Sequence, residues 1–256
     1  MDARHYGSLW FADGPTPEDC GLRPIALLDE PDVFTFDEYV KIAGRHFAAQ
    51  IDATDPSTPI SLSMEQPFRM GGTAASLGAK LECCYKVVRH VRDAHPARRF
   101  GVCGLHETSW WNCQHAAHNP RPRNRRAAEM FADLVDWVEV GIYVPQDRVG
   151  NPTGSNRGAE PHVEHVIAFA IEQAAILWRK PVRVWTSHEL HKGGKPLAPG
   201  LVPPHYWQKL LAALDDRHQI GQVDSIVRVA GWNEETGSAR SWSEENRPYL
   251  CAPVAA

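Results

Sequence analysis

The sequence predicts an α/β protein, a single (β/α) barrel of TIM type with six to eight strands, on three observations. Short apolar, β-branched runs recur, each followed by helix-like sequence: Tyr6–Ala12, Ile60–Met64, Phe100–Leu105, Val138–Val144, Val182–Ser187 and Ile226–Ala230. From Ile60 onward the runs start about 40 residues apart, the length of strand, loop and crossover helix in a parallel sheet. The runs are apolar on both faces rather than alternating, as strands covered on both sides are. An acid follows each one: Asp13, Glu65, Glu107, Asp147, Glu189 and Glu234. Parallel strands gather those carboxylates at one end, which in a barrel is the end that does chemistry.

Each element follows in order. Gly14–Pro31 is rich in proline and glycine and reads as a long loop, with Pro24–Leu28 inside it as a cryptic strand. Phe36–Gln50 reads as a helix, with Tyr39, Val40, Ile42, Ala43 and Phe47 on one side. Thr73–Ala94 is the clearest helix, since Leu77, Leu81, Cys84, Val87, Val88 and Val91 recur at three- and four-residue steps. Ala127–Val135, His162–Trp178 and Tyr206–Asp215 supply the other crossovers, with Pro161 and Pro204 where proline is tolerated at a helix start. The segment Arg69–Gly78 has Gly71-Gly72 before Thr73 but matches neither dinucleotide nor P-loop spacing, so Thr73 reads as a helix cap. The chain reads as one domain, 1–256, with 233–256 as a C-terminal arm.

Composition narrows the partners. At 256 residues the chain holds one large domain, and a net charge of −4 argues against a nucleic-acid footprint. The basic run Arg121, Arg123, Arg125 and Arg126 reads as a solvated helix start or loop. No run reaches the ~18–20 apolar residues that span a bilayer, and Met1–His5 lacks a signal-peptide core. A cytoplasmic or particle-associated protein is the expectation, with no membrane partner. The six cysteines show no C-x-x-C pair and read as reduced, mostly buried thiols.

Three groups of residues point to chemistry. Glu65 leaves an apolar strand, Ile60–Met64, just before Gln66-Pro67, and apolar backing raises a carboxyl pKa toward that of a general acid. Glu107 and Asp147 are candidate second carboxylates, and Asp13 and Glu234 complete the acidic ring. Trp10, Trp110, Trp111, Trp185 and Trp232 lie on or after strands, where an indole either packs in the core or stacks on a sugar ring; Asn112 sits beside the adjacent pair. The 13 histidines include His106, His188 and His191 after strands, yet no H-E-x-x-H spacing occurs. No metal and no cofactor are therefore expected. A metal-dependent hydrolase, the less favoured reading, needs those three histidines within ligand reach of one another. No G-x-S-x-G elbow supports acyl transfer.

The motifs Ser63-Met64-Glu65, Val140-Gly-Ile-Tyr143-Val-Pro145, Lys180-Pro-Val-Arg-Val-Trp185 and Ile226-Val-Arg-Val-Ala-Gly-Trp232-Asn-Glu234 resemble, in this order, strand ends of the hyaluronidase-like β/α-barrel glycoside hydrolases. The resemblance spans most of the chain after residue 60. It implies a carbohydrate partner, Glu65 as proton donor, Tyr143 as a substrate-contacting residue and Trp232 in the sugar site. It also exposes a departure: Ser63 stands where the family has the first acid of an acid-x-Glu pair, which orients the substrate's acetamido group. Either another acid (Glu107, Asp147 or Asp13) serves, or activity is lost. The alternative is a non-catalytic glycan-binding or structural barrel with partner proteins in a larger assembly, such as a phage particle.

Overall fold

Burial on both faces requires parallel strands to be reached by crossovers, and the chain alternates accordingly. In the computed structural model the strands are β1 (His5–Leu9), β2 (Arg23–Pro24), β3 (Ala26–Leu28), β4 (Ile60–Ser63), β5 (Phe100–Cys103), β6 (Val138–Pro145), β7 (Val182–Lys192), β8 (Lys195–Leu201), β9 (Val223–Ala230), β10 (Trp232–Asn233) and β11 (Ser238–Ala239). The helices are α1 (Phe36–Ala53), α2 (Leu77–Ala94), α3 (Arg121–Phe131), α4 (Gln173–Trp178), α5 (Pro204–Gln219) and α6 (Arg247–Leu250). A π-helical turn, Ile167–Glu172, leads into α4. The structure describes residues 5–9, 12–33, 35–65, 67, 76–106, 121–145, 167–192, 195–230, 232–233, 238–239 and 241–251, with backbone alone at 121, 143–145, 167–169, 189–192, 195–200, 232–233 and 238–239.

The chain forms two compact units, one of Met1–Pro24, Gly141–Gln173 and Val182–Ala256, the other of Ile25–Val140 and Ala174–Pro181. In the first unit the sheet runs β2-β1-β9-β7, followed by β6, whose residues from Gly141 onward belong to this unit. Neighbours among these four strands pair in parallel: Tyr6 faces Arg23, His5 faces Ile226, Leu9 faces Ala230, and Val184 faces Ile226. Strand β7 outruns the expected Val182–Ser187. It continues to Lys192 and pairs antiparallel with β8, Glu189 opposite Leu201 and Lys192 opposite Lys195. Glu189, His188 and His191 therefore lie within a strand and not in a loop after it. The sequence between the paired lysines is Gly193-Gly194, a composition that short hairpin turns favour.

The expectation of six reduced cysteines is corrected here. Cys20 and Cys251 form a disulfide across 231 residues of sequence. Around it, Cys20, Leu22, Ala230 and Leu250 are buried together, with Leu9, Trp242 and Cys251 packed on them. Sequence spacing missed the bond because only the fold brings two such distant thiols together. Cys83, Cys84 and Cys103 are free thiols, and Cys113 lies outside the described residues. Burial pushes the Cys83 thiol up to about 11 and Cys84 well above its ordinary range, so neither is a nucleophile at neutral pH.

In the second unit β3, β4 and β5 pair in parallel, with Ala26, Ile60 and Phe100 in one row. The cryptic strand of the sequence is real and supplies β3. Thr35 caps α1, accepting a hydrogen bond from the Glu38 N–H at 3.3 Å, and α1 buries Tyr39, Ala43, Phe47 and Ile51. Helix α2 begins later than Thr73: Ser76 is its cap, accepting from the Ala79 N–H at 3.2 Å, while Thr73 lies outside the described residues. Gly44 lets α1 approach α2, since a Cβ there would lie 2.7 Å from the His90 ring. Helix α3 starts earlier than expected and takes in the arginine run.

The strands of this unit alternate more than expected. Ile60, Leu62, Phe100 and Val102 lie on one face, whereas the other carries Ser61, Gly101 and Cys103, with Glu139 of β6 bonded to Ser61 and Cys103. Glu139 is only 2% exposed. Its carboxylate accepts from the Trp137 indole at 2.7 Å, the Cys103 thiol at 2.7 Å and the Ser61 hydroxyl. A side chain at Gly101 would run into Trp137 and Glu139. Small and polar residues on this face thus supply the room and the donors that a buried carboxylate requires.

Candidate functional site

The exits of β3, β4 and β5 lie side by side, because parallel strands at about 4.8 Å spacing deliver their following residues to the same edge. Those residues are Asp29-Glu30, Met64-Glu65 and Gly104-Leu105-His106. Glu30 joins the first two exits: its carboxylate accepts from the Glu65 backbone N–H at 2.9 Å and from the Tyr39 hydroxyl at 2.7 Å. Tyr39 is fully buried on α1. Burial first, then the Glu30 charge, hold its phenol far above the ordinary range, so it stays a donor. The Asp29 carbonyl accepts from the Gln50 side-chain amide at 2.9 Å and contacts His46 Nε2 at 3.1 Å, both on α1. Burial raises the Asp29 carboxyl pKa, partly offset by His46.

Glu65 itself is exposed, whereas Met64 before it is fully buried. The apolar backing that the sequence assigns to Glu65 belongs to its neighbour, because one residue of extended chain reverses the side-chain direction. Gly104 crosses close by at φ +91°, where a Cβ would stand 2.8 Å from the Met64 carbonyl oxygen and 3.8 Å from Glu65 Cγ. Arg123 donates to the Gly104 carbonyl at 3.0 Å and so fixes that exit. The Cys103 thiol is held well above its ordinary value, by burial first, then by the Glu139 charge and hydrogen bond, with Glu65 adding to the rise. An exposed carboxylate at a strand end thus sits in electrostatic reach of a buried thiol that is hydrogen-bonded to a second carboxylate. Glu65 is exposed, and Glu30 and Glu139 have both carboxylate oxygens engaged by donors.

Other candidates fare differently. The Asp13 carboxylate accepts from the Trp242 backbone N–H at 2.6 Å, anchoring the C-terminal segment to the loop after β1. Trp185 faces Val227 in mid-strand and is 3% exposed, so it serves as core and not as an open sugar platform. Tyr143 and Trp232 have their backbones in β6 and β10. Glu107, Asp147, Trp10, Trp110, Trp111, Asn112 and Glu234 lie outside the described residues. Among the described residues no group of three His, Cys, Asp or Glu is arranged to hold a metal ion.

Two of the histidines are committed to their own surroundings. His106 Nδ1 accepts from the Trp178 indole at 3.1 Å, and Nε2 lies 3.3 Å from the Asn124 amide. Burial, with Arg123 adding, pushes the His106 pKa down to about 3. His188 is fully buried, stacks on Tyr249 at 5.0 Å and lies 2.8 Å from Asn246 Oδ1. The side chain of His191 is not among those described.

Sequence reasoning missed Glu30 and Glu139. Glu30 carries the same signal as Glu65, an apolar strand followed by an acid (Ala26–Leu28, then Asp29-Glu30), hidden by the shortness of the strand. Glu139 is a lone acid between valines in a buried strand, a pattern that costs stability unless donors surround it.

No protein-family model matches this sequence, and no curated protein does. Solved structures do share the fold. Bee venom hyaluronidase superposes with a TM-score of 0.56 at 12% identity, over 80% of this chain and 78% of that one. A GH86 variant in complex with neoagarooctaose gives a TM-score of 0.50 at 14% identity, over 91% of this chain and 43% of that one. The chain therefore spans less than half of the second neighbour's length. At such identity the likeness is one of architecture: the chain has a glycoside-hydrolase-like α/β fold with parallel sheets, of the kind seen in TIM-barrel enzymes.

Proposed function

We propose that this protein is a glycoside hydrolase acting on a polysaccharide by acid/base catalysis, with Glu65 as proton donor. The observation that carries the reading is an exposed carboxylate at the C-terminal end of a parallel strand, its backbone tied to the neighbouring strand exit by Glu30. Glycosidases place acids at that edge to protonate the departing oxygen. Tyr143 orients the substrate, and Trp111 and Trp232 hold sugar rings. Glu107 or Asp147 is the second carboxylate, since Asp13 is engaged by Trp242. A substrate bearing an N-acetyl group supplies its own nucleophile, and the second carboxylate then orients that acetamido group in place of Ser63.

Hydrolysis of hyaluronan, chitin, mannan and neoagarooctaose by wild type and Glu65→Gln, followed by product sizing, tests the reading. Loss of turnover by roughly 10²–10⁴-fold in the variant is expected for a general acid. Equal turnover of the two proteins overturns the assignment.

Ser63 favours a second reading, a glycan-binding barrel without catalysis that serves a larger assembly. It ends β4 opposite Cys103, and serine there cannot do the work of a carboxylate. Binding of one polysaccharide with no cleavage of any would favour this reading over hydrolysis.

A further inference from the structure

We propose that Glu30 is a positioning residue for the Glu65 carboxylate, a role that rests on the reading of Glu65 as proton donor. The geometry is a relay from helix to strand exit. Tyr39, fully buried on α1, fixes one oxygen of Glu30 from a distance of 2.7 Å; the other oxygen receives the Glu65 N–H at 2.9 Å. Gln50 holds the adjacent Asp29 carbonyl at 2.9 Å. One helix therefore sets the backbone that bears Glu30, the rotamer of its side chain and, through it, the backbone of Glu65.

A charged acceptor is an uncommon choice for this task. Backbone carbonyls ordinarily receive the N–H groups at a strand end, and placing one acid beside another invites like-charge repulsion. A charge-assisted hydrogen bond is shorter and stronger than a neutral one, so it holds the donor in a narrower range of positions. Precision of that kind matters to proton transfer, where a displacement of about 1 Å costs up to ~10²-fold in rate.

The test compares wild type, Glu30→Ala, Glu30→Gln, Tyr39→Phe and Glu65→Gln on two substrates. One is the polysaccharide that the wild type cleaves; the other is the 2,4-dinitrophenyl glycoside of the same sugar, whose leaving group departs without protonation. Glu30→Ala is expected to lower kcat on the polysaccharide by roughly 10–100-fold with KM little changed, and to lose only a few-fold on the activated glycoside. Glu30→Gln keeps one acceptor oxygen and should recover much of the loss. Tyr39→Phe removes the donor that orients Glu30 and should fall between Glu30→Gln and wild type.

Equal losses on both substrates, or no loss on either, would overturn the positioning role. Should Glu30→Ala fail to fold, Glu30→Gln and Tyr39→Phe carry the same comparison. The two readings separate cleanly. A Glu65→Gln protein as active as wild type, or a wild type that cleaves nothing, removes the donor and its positioning residue together. An inactive Glu65→Gln with leaving-group-independent Glu30 variants removes Glu30 alone.

Discussion

Asp13 and Glu65 carry the same sequence signal, an acid just after an apolar run, yet their surroundings put them to opposite uses. Asp13 spends its carboxylate on the Trp242 N–H, within a region that holds the C-terminal segment in place. There the Cys20–Cys251 disulfide closes the chain, Arg228 donates to the Tyr249 and Leu250 carbonyls at 3.0 Å each, and His188 packs on Tyr249. Even the exposed Glu244 is engaged: hydrogen bonds from Arg247 and then Trp242 hold its carboxyl down at about 2. At the exits of β3 to β5 the bonds run the other way. Glu30 and Arg123 fix backbone, Tyr39 holds the Glu30 carboxylate, and the Glu65 side chain stays exposed. An acid becomes a candidate for chemistry when its neighbours secure the chain and leave the carboxylate in reach of solvent.

The contrast is open to breakage. After the loss of turnover expected for Glu65→Gln, the largest effect is on the disulfide. Cys20→Ser with Cys251→Ser should lower stability by about 2–5 kcal/mol, read by urea unfolding. A fully reduced wild type should match the double variant, and an unchanged midpoint would show that Arg228 and the packing suffice.

The pH response of His106 comes next. Its folded pKa, about 3, lies below the ordinary 6.5, so the unfolded chain takes up the proton first. Its contribution is full above about pH 6.5 and is lost as pH falls toward about 3, by a few kcal/mol in all (about 1.4 per pKa unit). Unfolding free energies at pH 7.5 and pH 5 should show this loss in wild type and less of it in His106→Gln; equal slopes would mean the ring titrates normally.

Smaller effects sharpen the local picture. Gly104→Ala puts a methyl group against the Met64 carbonyl at positive φ, which costs on the order of 1–3 kcal/mol and should lower any Glu65-dependent turnover as well. A melting temperature equal to wild type would show that the exit adapts. Asp13→Ala loses one hydrogen bond, about 1 kcal/mol, and should leave turnover unchanged if Asp13 only anchors the C-terminal segment. A fall in turnover comparable to that of Glu65→Gln would move Asp13 into the site and put both acids to the same use.

By itself the sequence determined the parallel strands with crossovers: apolar β-branched runs, helix periodicity and about 40-residue spacing specified them, because burial on both faces leaves few other solutions. Glu65 at a strand exit was legible for the same reason. Tertiary structure alone decided which donors each acid meets and which carboxylates reach solvent. Glu30 meets Glu65 across 35 residues, Glu139 meets Ser61 across 78, and Cys20 meets Cys251 across 231. Hydrogen bonds and disulfides act over a few ångströms, and at such separations only the folded chain sets those distances.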